Sequence, residues 1–210
     1  MVAHVNIQES GAASERAAHS QEGVVLWLTP AENASAKLPS PPKVHFLLIQ
    51  KDKQFQPHLL VIPVGSIVDF PNLDPFFHNV FSLFNGRKFD LGLYESGKSR
   101  SVHFDRPGVS FIFCNIHPEM SAVIVSVPTT YYASSMADGS LVIHGVEPGT
   151  YDVHLWTIGS GNSLSAGQSK RVVVGDTKTD LGMFTVHSSP FGPHKNKFGQ
   201  DYDLQHPDQY

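Results

Sequence analysis

Residues 111–120 read FIFCNIHPEM and hold the chain's single cysteine. Cys114, His117 and Met120 fall at C-x2-H-x2-M spacing, straight after a run of β-forming residues. A thiolate with two imidazoles in a trigonal set, and a weak thioether on the axis, is the donor set that selects copper for electron transfer. Soft sulfur suits Cu(I), imidazole is acceptable to Cu(II), and a site midway between their preferences needs little rearrangement. The segment supplies three of those donors. A lone cysteine excludes an intrachain disulfide, so Cys114 is a buried small hydrophobe, a reactive thiol or a metal ligand. Its neighbours favour the third reading. The second imidazole must come from elsewhere, and His78 in VDFPNLDPFFHNVFS is the candidate. Asn79 follows it and is suited to fastening this loop to the one bearing Cys114, a bond that would orient the ligands and tune the sulfur.

Other residues carry weaker signals. Leu73, Pro75, Phe76 and Phe77, with Pro118, form either an apolar collar around His117 suited to transient docking of an electron partner, or ordinary loop packing. His58 reads as a satisfied or surface residue, with a metal role the lesser alternative. His103, His144 and His154 alternate within strand patterns and read as surface positions. His187, His194 and His206 lie in or near a tail that could capture metal weakly. Glu119 reads as an exposed charge inside the ligand loop.

Strands must position these residues, because no stretch shows a sustained 3.6-residue apolar repeat. Short apolar runs at Val24–Leu28, Val44–Gln50, Leu59–Pro63, Ile67–Phe70, Val80–Phe84 and Ser121–Val127 are separated by Gly and Pro turns. DRPGVSFIFC places a Pro-Gly turn before a run apolar on nearly both faces, as in a central sandwich strand. In ADGSLVIHGVEPGTYDVHLW, residues Tyr151, Val153 and Leu155 share one face and Asp152, His154 and Trp156 the other. Further strands are expected at Arg171–Val174 and Leu181–Val186. The expectation is an all-β chain of sandwich architecture.

Composition sets the outer limits. Of 210 residues, 40% are hydrophobic and 16% charged, a globular balance. The net charge of −4 has no basic stripe to suggest nucleic acid, and no apolar run reaches the ~18 residues of a membrane span. Residues 1–22 are polar and lack the basic and apolar regions of a signal peptide, which leaves two readings: a cytoplasmic protein, or one whose signal has been removed.

The stretch from about Val44 to Val127 resembles the cupredoxin family of blue-copper proteins. The likeness rests on VIPVGSIVDFPN, on HNV, and on FIFCNIHPEM after RPG. The ligand-loop spacing looks most like that of the amicyanins. The whole run also looks like bacterial cupredoxin-domain proteins labelled methylamine-utilisation-like, a label that implies no activity on methylamine here. The resemblance implies a Greek-key β-sandwich holding one type 1 copper through His78, Cys114, His117 and Met120. It gives Asn79 the fastening role and makes His117 the electron exit near the surface. It also implies a redox partner protein and a periplasmic or secreted location, with a signal peptide already removed.

The last third resembles the carboxypeptidase-regulatory-like or transthyretin-like β-sandwich. The organisation expected is a flexible segment 1–22, a cupredoxin domain 43–128, a second small sandwich from 23–30 and 129–187 into which the first is inserted, and a tail 188–210 that is loose or packed on the surface. The leading function is electron carriage without enzymatic activity. The alternatives are a copper carrier or store of the cell envelope without a redox partner, and a β-sandwich binding module with a structural metal. Zinc, too, accepts Cys and two His. Association of subunits is left open.

Overall fold

Period-two sequence becomes strand along the whole described chain: seventeen strands and no α-helix. The structure, a computed structural model, describes residues 1–9, 22–32, 44–83, 86–160, 164, 169–188 and 195–201. The chain opens with β1 (Val2–Glu9) and β2 (Val24–Pro30). Next come β3 (His45–Leu47), β4 (Ile49–Lys51), β5 (Gln54–Gln56), β6 (Leu59–Pro63), β7 (Ser66–Pro71), β8 (His78–Ser82), β9 (Phe89–Tyr94), β10 (Ser99–Phe104), β11 (Gly108–Phe113) and β12 (Ser121–Val127). It closes with β13 (Tyr132–Ser134), β14 (Ser140–Val142), β15 (Gly149–Thr157), β16 (Ser169–Val174) and β17 (Asp180–Ser188). Two units result. Unit 1 takes Met1–Ser40 with Val127–Phe191; unit 2 takes Pro41–Ser126 with Gly192–Tyr210. Among the described residues no helix is long and apolar enough to cross a membrane.

Unit 1 faces the sheet β14-β1-β17 against the sheet β13-β2-β15-β16. The alternation in β15 works as its sequence suggests. Tyr151, Val153 and Leu155 enter the core beside Leu26 and Leu28 of β2, in a register that pairs Val153 with Leu28 and Leu155 with Leu26. The other face is not all solvent-exposed. Trp156 is buried, and His154 is half-buried, stacked on Trp27 at 5.2 Å and bonded to Thr29 Oγ1 at 2.8 Å. His154 is therefore not the surface residue expected, whereas His103, His144 and His187 are exposed.

The flexible segment expected over 1–22 is also corrected in its first part. Val2–Glu9 is strand, running parallel to β17 in the register His4–Met183 to Glu9–Ser188. Ala3 and Val5 turn inward while His4 and Asn6 stay exposed, a genuine but short alternation. Residues 10–21 lie outside the described residues. So do His194 and His206.

Unit 2 sets the sheet β10-β7-β3 against β6-β12-β11-β8-β9, with β4 and β5 forming a hairpin. Val68 and Phe70 of β7 and Val102 and Phe104 of β10 meet Ile62, Val80, Ile112, Ala122 and Ile124 from the larger sheet. Each Val, Ile or Phe side chain among them, when fully buried, contributes roughly 1.5–3 kcal/mol. The run Val44–Gln50 is not one strand: Leu48 turns fully inward between β3 and β4. β9 was not expected, because only Tyr94 in it is buried and the apolar alternation is faint; β10 is the strand pattern that holds His103, and it buries Val102 and Phe104.

The topology brings the candidate residues to one end of this sandwich. β8 and β11 are antiparallel with Phe81 opposite Phe113, so the start of β8 lies beside the end of β11. β11 and β12 form a hairpin closed by the pair Phe113–Ser121, leaving residues 114–120 as its loop.

Candidate metal centre

The hairpin loop is short and internally bonded. The Cys114 N–H donates to the Met120 carbonyl at 3.3 Å, and the Met120 N–H donates to the His117 carbonyl at 3.0 Å. These bonds fold the C-x2-H-x2-M stretch over the sandwich end. His78, the first residue of β8, meets it from the neighbouring strand. Nδ1 of His78, Sγ of Cys114 and Nδ1 of His117 lie within 4.8 Å of one another. The sulfur is 3.7 Å from the first nitrogen and 3.6 Å from the second, and the nitrogens are 3.1 Å apart. His78 and Cys114 are fully buried, and His117 is half-buried. Met120 is fully buried in the unit 2 core, packed in one cluster with Cys114.

The protonation pattern follows from the contacts. Asp74 lies one turn before His78, and its Oδ2 is 2.8 Å from His78 Nε2. Burial would raise the Asp74 carboxyl, but bonds from His78 and from the Lys53 and Asp52 backbone amides hold it below its ordinary value. Burial pushes the His78 imidazole down, against the pull of Asp74. A neutral imidazole beside a carboxylate carries its proton on Nε2, which leaves the Nδ1 lone pair facing the sulfur. His117 is likewise held below its ordinary value, first by burial and then by the nearby His78 and Lys53. Burial raises the Cys114 thiol, although the backbone amides of Asn79, Ile116 and His117 bond to it and favour the thiolate. A cation entering the cluster must displace that proton, so affinity there is coupled to pH.

The sequence NLDPFF builds the approach to His78. Asn72 Oδ1 accepts the Asp74 N–H at 3.0 Å, and its amide donates to the Phe76 carbonyl at 2.8 Å. This turn aims Asp74 inward and places the Phe76 ring against both imidazoles, with centroids 5.2 Å from His78 and 5.5 Å from His117. Leu73, Pro75, Phe76 and Phe77 are exposed, Pro118 is half-buried and Glu119 is exposed. His58, also exposed, bonds the Ser121 carbonyl through Nδ1 at 3.0 Å, well apart from this cluster in role.

Asn79 behaves differently from expectation. Its side-chain amide does not reach the ligand loop. It donates to Asp90 Oδ1 on β9 at 2.8 Å, and among the described residues its own buried Oδ1 has no hydrogen-bond partner. Its backbone N–H is the group that bonds Cys114. The pair Asn79–Leu93 immediately precedes a register shift in the β8–β9 ladder.

Three supporting residues were not anticipated from sequence: Asp74, Asp90 and Lys197. Asp74 carried a readable signal, an Asp-Pro turn four residues before the candidate histidine. The other two carried none, because they are polar residues far from either ligand segment.

No family model matches the chain, and no curated protein matches it. Among solved structures it is similar to a copper-containing nitrite reductase from Thermus scotoductus SA-01, at 26% identity over 44% of this chain, with a TM-score of 0.39. The likeness spans only 24% of that enzyme. A purple cupredoxin from Nitrosopumilus maritimus is similar at 24% identity over 40% of this chain and 98% of its own, with a TM-score of 0.34. An amicyanin variant in the Cu(I) state is similar at 17% identity over 45% of this chain and 98% of its own, with a TM-score of 0.38. Each of these three likenesses covers less than half of this chain.

Proposed function

We propose that the chain is a mononuclear type 1 copper protein that carries electrons. One observation carries the reading: a thiol and two imidazole Nδ1 atoms from two distant segments converge within 4.8 Å at one end of a β-sandwich. The donor types fit copper, with His78, Cys114 and His117 as the close ligands and Met120 as the weak axial one. Copper bound there would supply one-electron cycling between Cu(II) and Cu(I). The protein's own residues do the rest. Asp74 fixes the His78 tautomer and ring plane, the Asn79, Ile116 and His117 amides hold the sulfur, and burial keeps water away from both. His117, half-buried, offers the electron its exit. The exposed Phe76, whose ring lies 5.5 Å from that of His117, and its exposed sequence neighbours Leu73 and Phe77 suit brief docking of a redox partner protein.

The reading is of a carrier rather than an enzyme, and we place it in the periplasm or outside the cell, as the sequence resemblance implies. We also read unit 2 as the copper domain inserted into a carboxypeptidase-regulatory-like sandwich. The discontinuity of unit 1 in sequence, and the pairing of β2 with β13 and β15, support the insertion.

The test is an absorption and EPR spectrum of the copper-loaded protein with metal analysis. One copper per chain and a strong thiolate charge-transfer band in the visible are expected, and Cys114→Ser should abolish the band. A protein that holds only Cu(I), prefers zinc, or keeps the band after Cys114→Ser overturns the reading.

A further inference from the structure

The segment 195–201 is far in sequence from the ligand loop yet bonded to the neighbours of two of the proposed ligands. Asn115 follows Cys114 and is buried; its Oδ1 accepts the Lys197 backbone N–H at 3.0 Å. Asn79 follows His78 and is buried; its amide is bonded to Asp90 Oδ1. The second oxygen of Asp90 takes the Lys197 ammonium at 2.9 Å. Lys197 therefore grips the neighbour of Cys114 through its main chain and the neighbour of His78 through Asp90. The Gly92 N–H also bonds Asp90, at 2.9 Å, so the carboxylate is held from three sides.

The segment is shaped for this position. Asn196 is almost fully buried, and its Oδ1 accepts the N–H groups of Phe198 and Gln200 at 2.9 and 3.0 Å. Two backbone bonds, Asn196 N–H to the Gln200 carbonyl and Gly199 N–H to the Asn196 carbonyl, close the turn at 2.9 Å each. Gly199 stands at φ 78°, a conformation that glycine adopts at no steric cost. A self-bonded turn with a buried asparagine at its root is a docked element, and what it docks on is the frame of the metal cluster.

We propose that the segment 195–201 is a strap for the metal centre, with Lys197 a positioning residue that holds Asn115 directly and Asn79 through Asp90. It fixes the ligand loop against β8 and so slows departure of the metal. The inference rests on the copper reading of the cluster, but its first arm does not. That arm is hydrogen exchange of the metal-free protein at the Ile116, His117 and Met120 amides, compared among the full chain, Lys197→Ala, Lys197→Arg and a chain ending at His194. Faster exchange is expected in Lys197→Ala and more so in the shortened chain, with Lys197→Arg close to the full chain because an arginine can still pair with Asp90.

The second arm is the rate at which excess EDTA bleaches the visible band of the copper-loaded proteins. It should rise about tenfold without the strap, the low end of what loss of an outer partner costs in metal affinity. Unchanged loop exchange in the shortened chain and in Lys197→Ala overturns the strap, whatever the metal does. So does altered exchange with a bleaching rate unchanged to within twofold. If the full chain never develops a Cys114-dependent band, the copper reading falls, and the exchange arm alone then decides whether the strap positions the loop.

Discussion

Asp74→Ala removes one buried carboxylate that serves three donors. Oδ1 accepts the Asp52 N–H at 2.7 Å, and Oδ2 accepts the Lys53 N–H at 3.0 Å and His78 Nε2–H at 2.8 Å. His78 is fully buried, so its stranded N–H loses a charge-assisted bond with no water to replace it, roughly 1.5–3 kcal/mol. Asp52 and Lys53 are exposed, and their amides regain water, so each of those bonds counts for about 0.5 kcal/mol. The expected loss from unit 2 is roughly 2.5–4 kcal/mol. Both residues of that turn stand at positive φ, 56° and 54°, in the β4–β5 hairpin, so the carboxylate also restrains a strained turn.

Tryptophan fluorescence cannot follow this change, because Trp27 and Trp156 are the only tryptophans and both lie in unit 1. Native-state hydrogen exchange at Ile112 and Phe113 in β11 of the metal-free protein reads unit 2 directly. The part specific to the imidazole comes from a double-mutant cycle with His78→Phe, in which a coupling of about 1.5–3 kcal/mol is expected. Additivity to within about 0.5 kcal/mol would refute the claim that this carboxylate orients the ring.

Two further outcomes follow from close packing and from burial of the imidazoles. Gly86→Ala would place a Cβ 2.2 Å from Ser110 Oγ and 2.7 Å from the Val109 carbonyl oxygen. It should cost roughly 1–3 kcal/mol of unit 2 stability by the same exchange measurement, and an unchanged value would show that β11 yields. The metal-free protein should also lose stability as pH falls below about 6.5, the ordinary value below which burial holds both His78 and His117. In that window the unfolded chain binds the protons that the folded one resists, so acid favours unfolding. Asp74, held below 3.8, adds a second loss at still lower pH. Urea midpoints that rise between pH 7 and 5.5 would contradict the assignment.

The parts of the structure legible in the sequence are those where one face of a strand is strongly apolar. β2, β11, β12 and β15 bury long runs, and their alternation or continuity shows in the residues themselves. β1, β9 and β13 do not, since each buries few side chains or none and draws its stability from ladder bonds to neighbours that only the topology supplies. The site divides in the same way. Cys114, His117 and Met120 sit on one hairpin loop, so spacing alone groups them, and His78 was found by its HN signature. Its carboxylate partner is four residues away and was readable in principle. The Asn79 side chain was misassigned because its partner is Asp90 on the neighbouring strand β9, a pairing that no local pattern encodes. Lys197 reaches Asp90 across 107 residues of sequence, and in sequence a lysine in a polar tail looks like any other.

Each donor in the cluster is held by a second bond that does not depend on a metal. Asp74 fixes His78 and is itself tied to the β4–β5 turn. Three backbone amides hold the Cys114 sulfur, and the core holds Met120. His117 is the exception: its ring rests on Phe76 and on the other two donors, and it is the half-exposed one. Rigidity on three sides with one softer imidazole toward solvent separates two kinds of copper protein. One that hands its ion to a partner must let a donor swing away, and His117 could do so without breaking a buried side-chain hydrogen bond or leaving the core. One that passes an electron needs all the donors to stay put and one ring edge within reach of the partner. The same imidazole answers both demands, so immobilising it distinguishes them. A covering substitution that packs on His117, such as Pro118→Phe, should slow metal release to a chelator if the ion is the cargo. If the electron is, it should instead slow exchange with a soluble redox partner while the bound metal stays as it was.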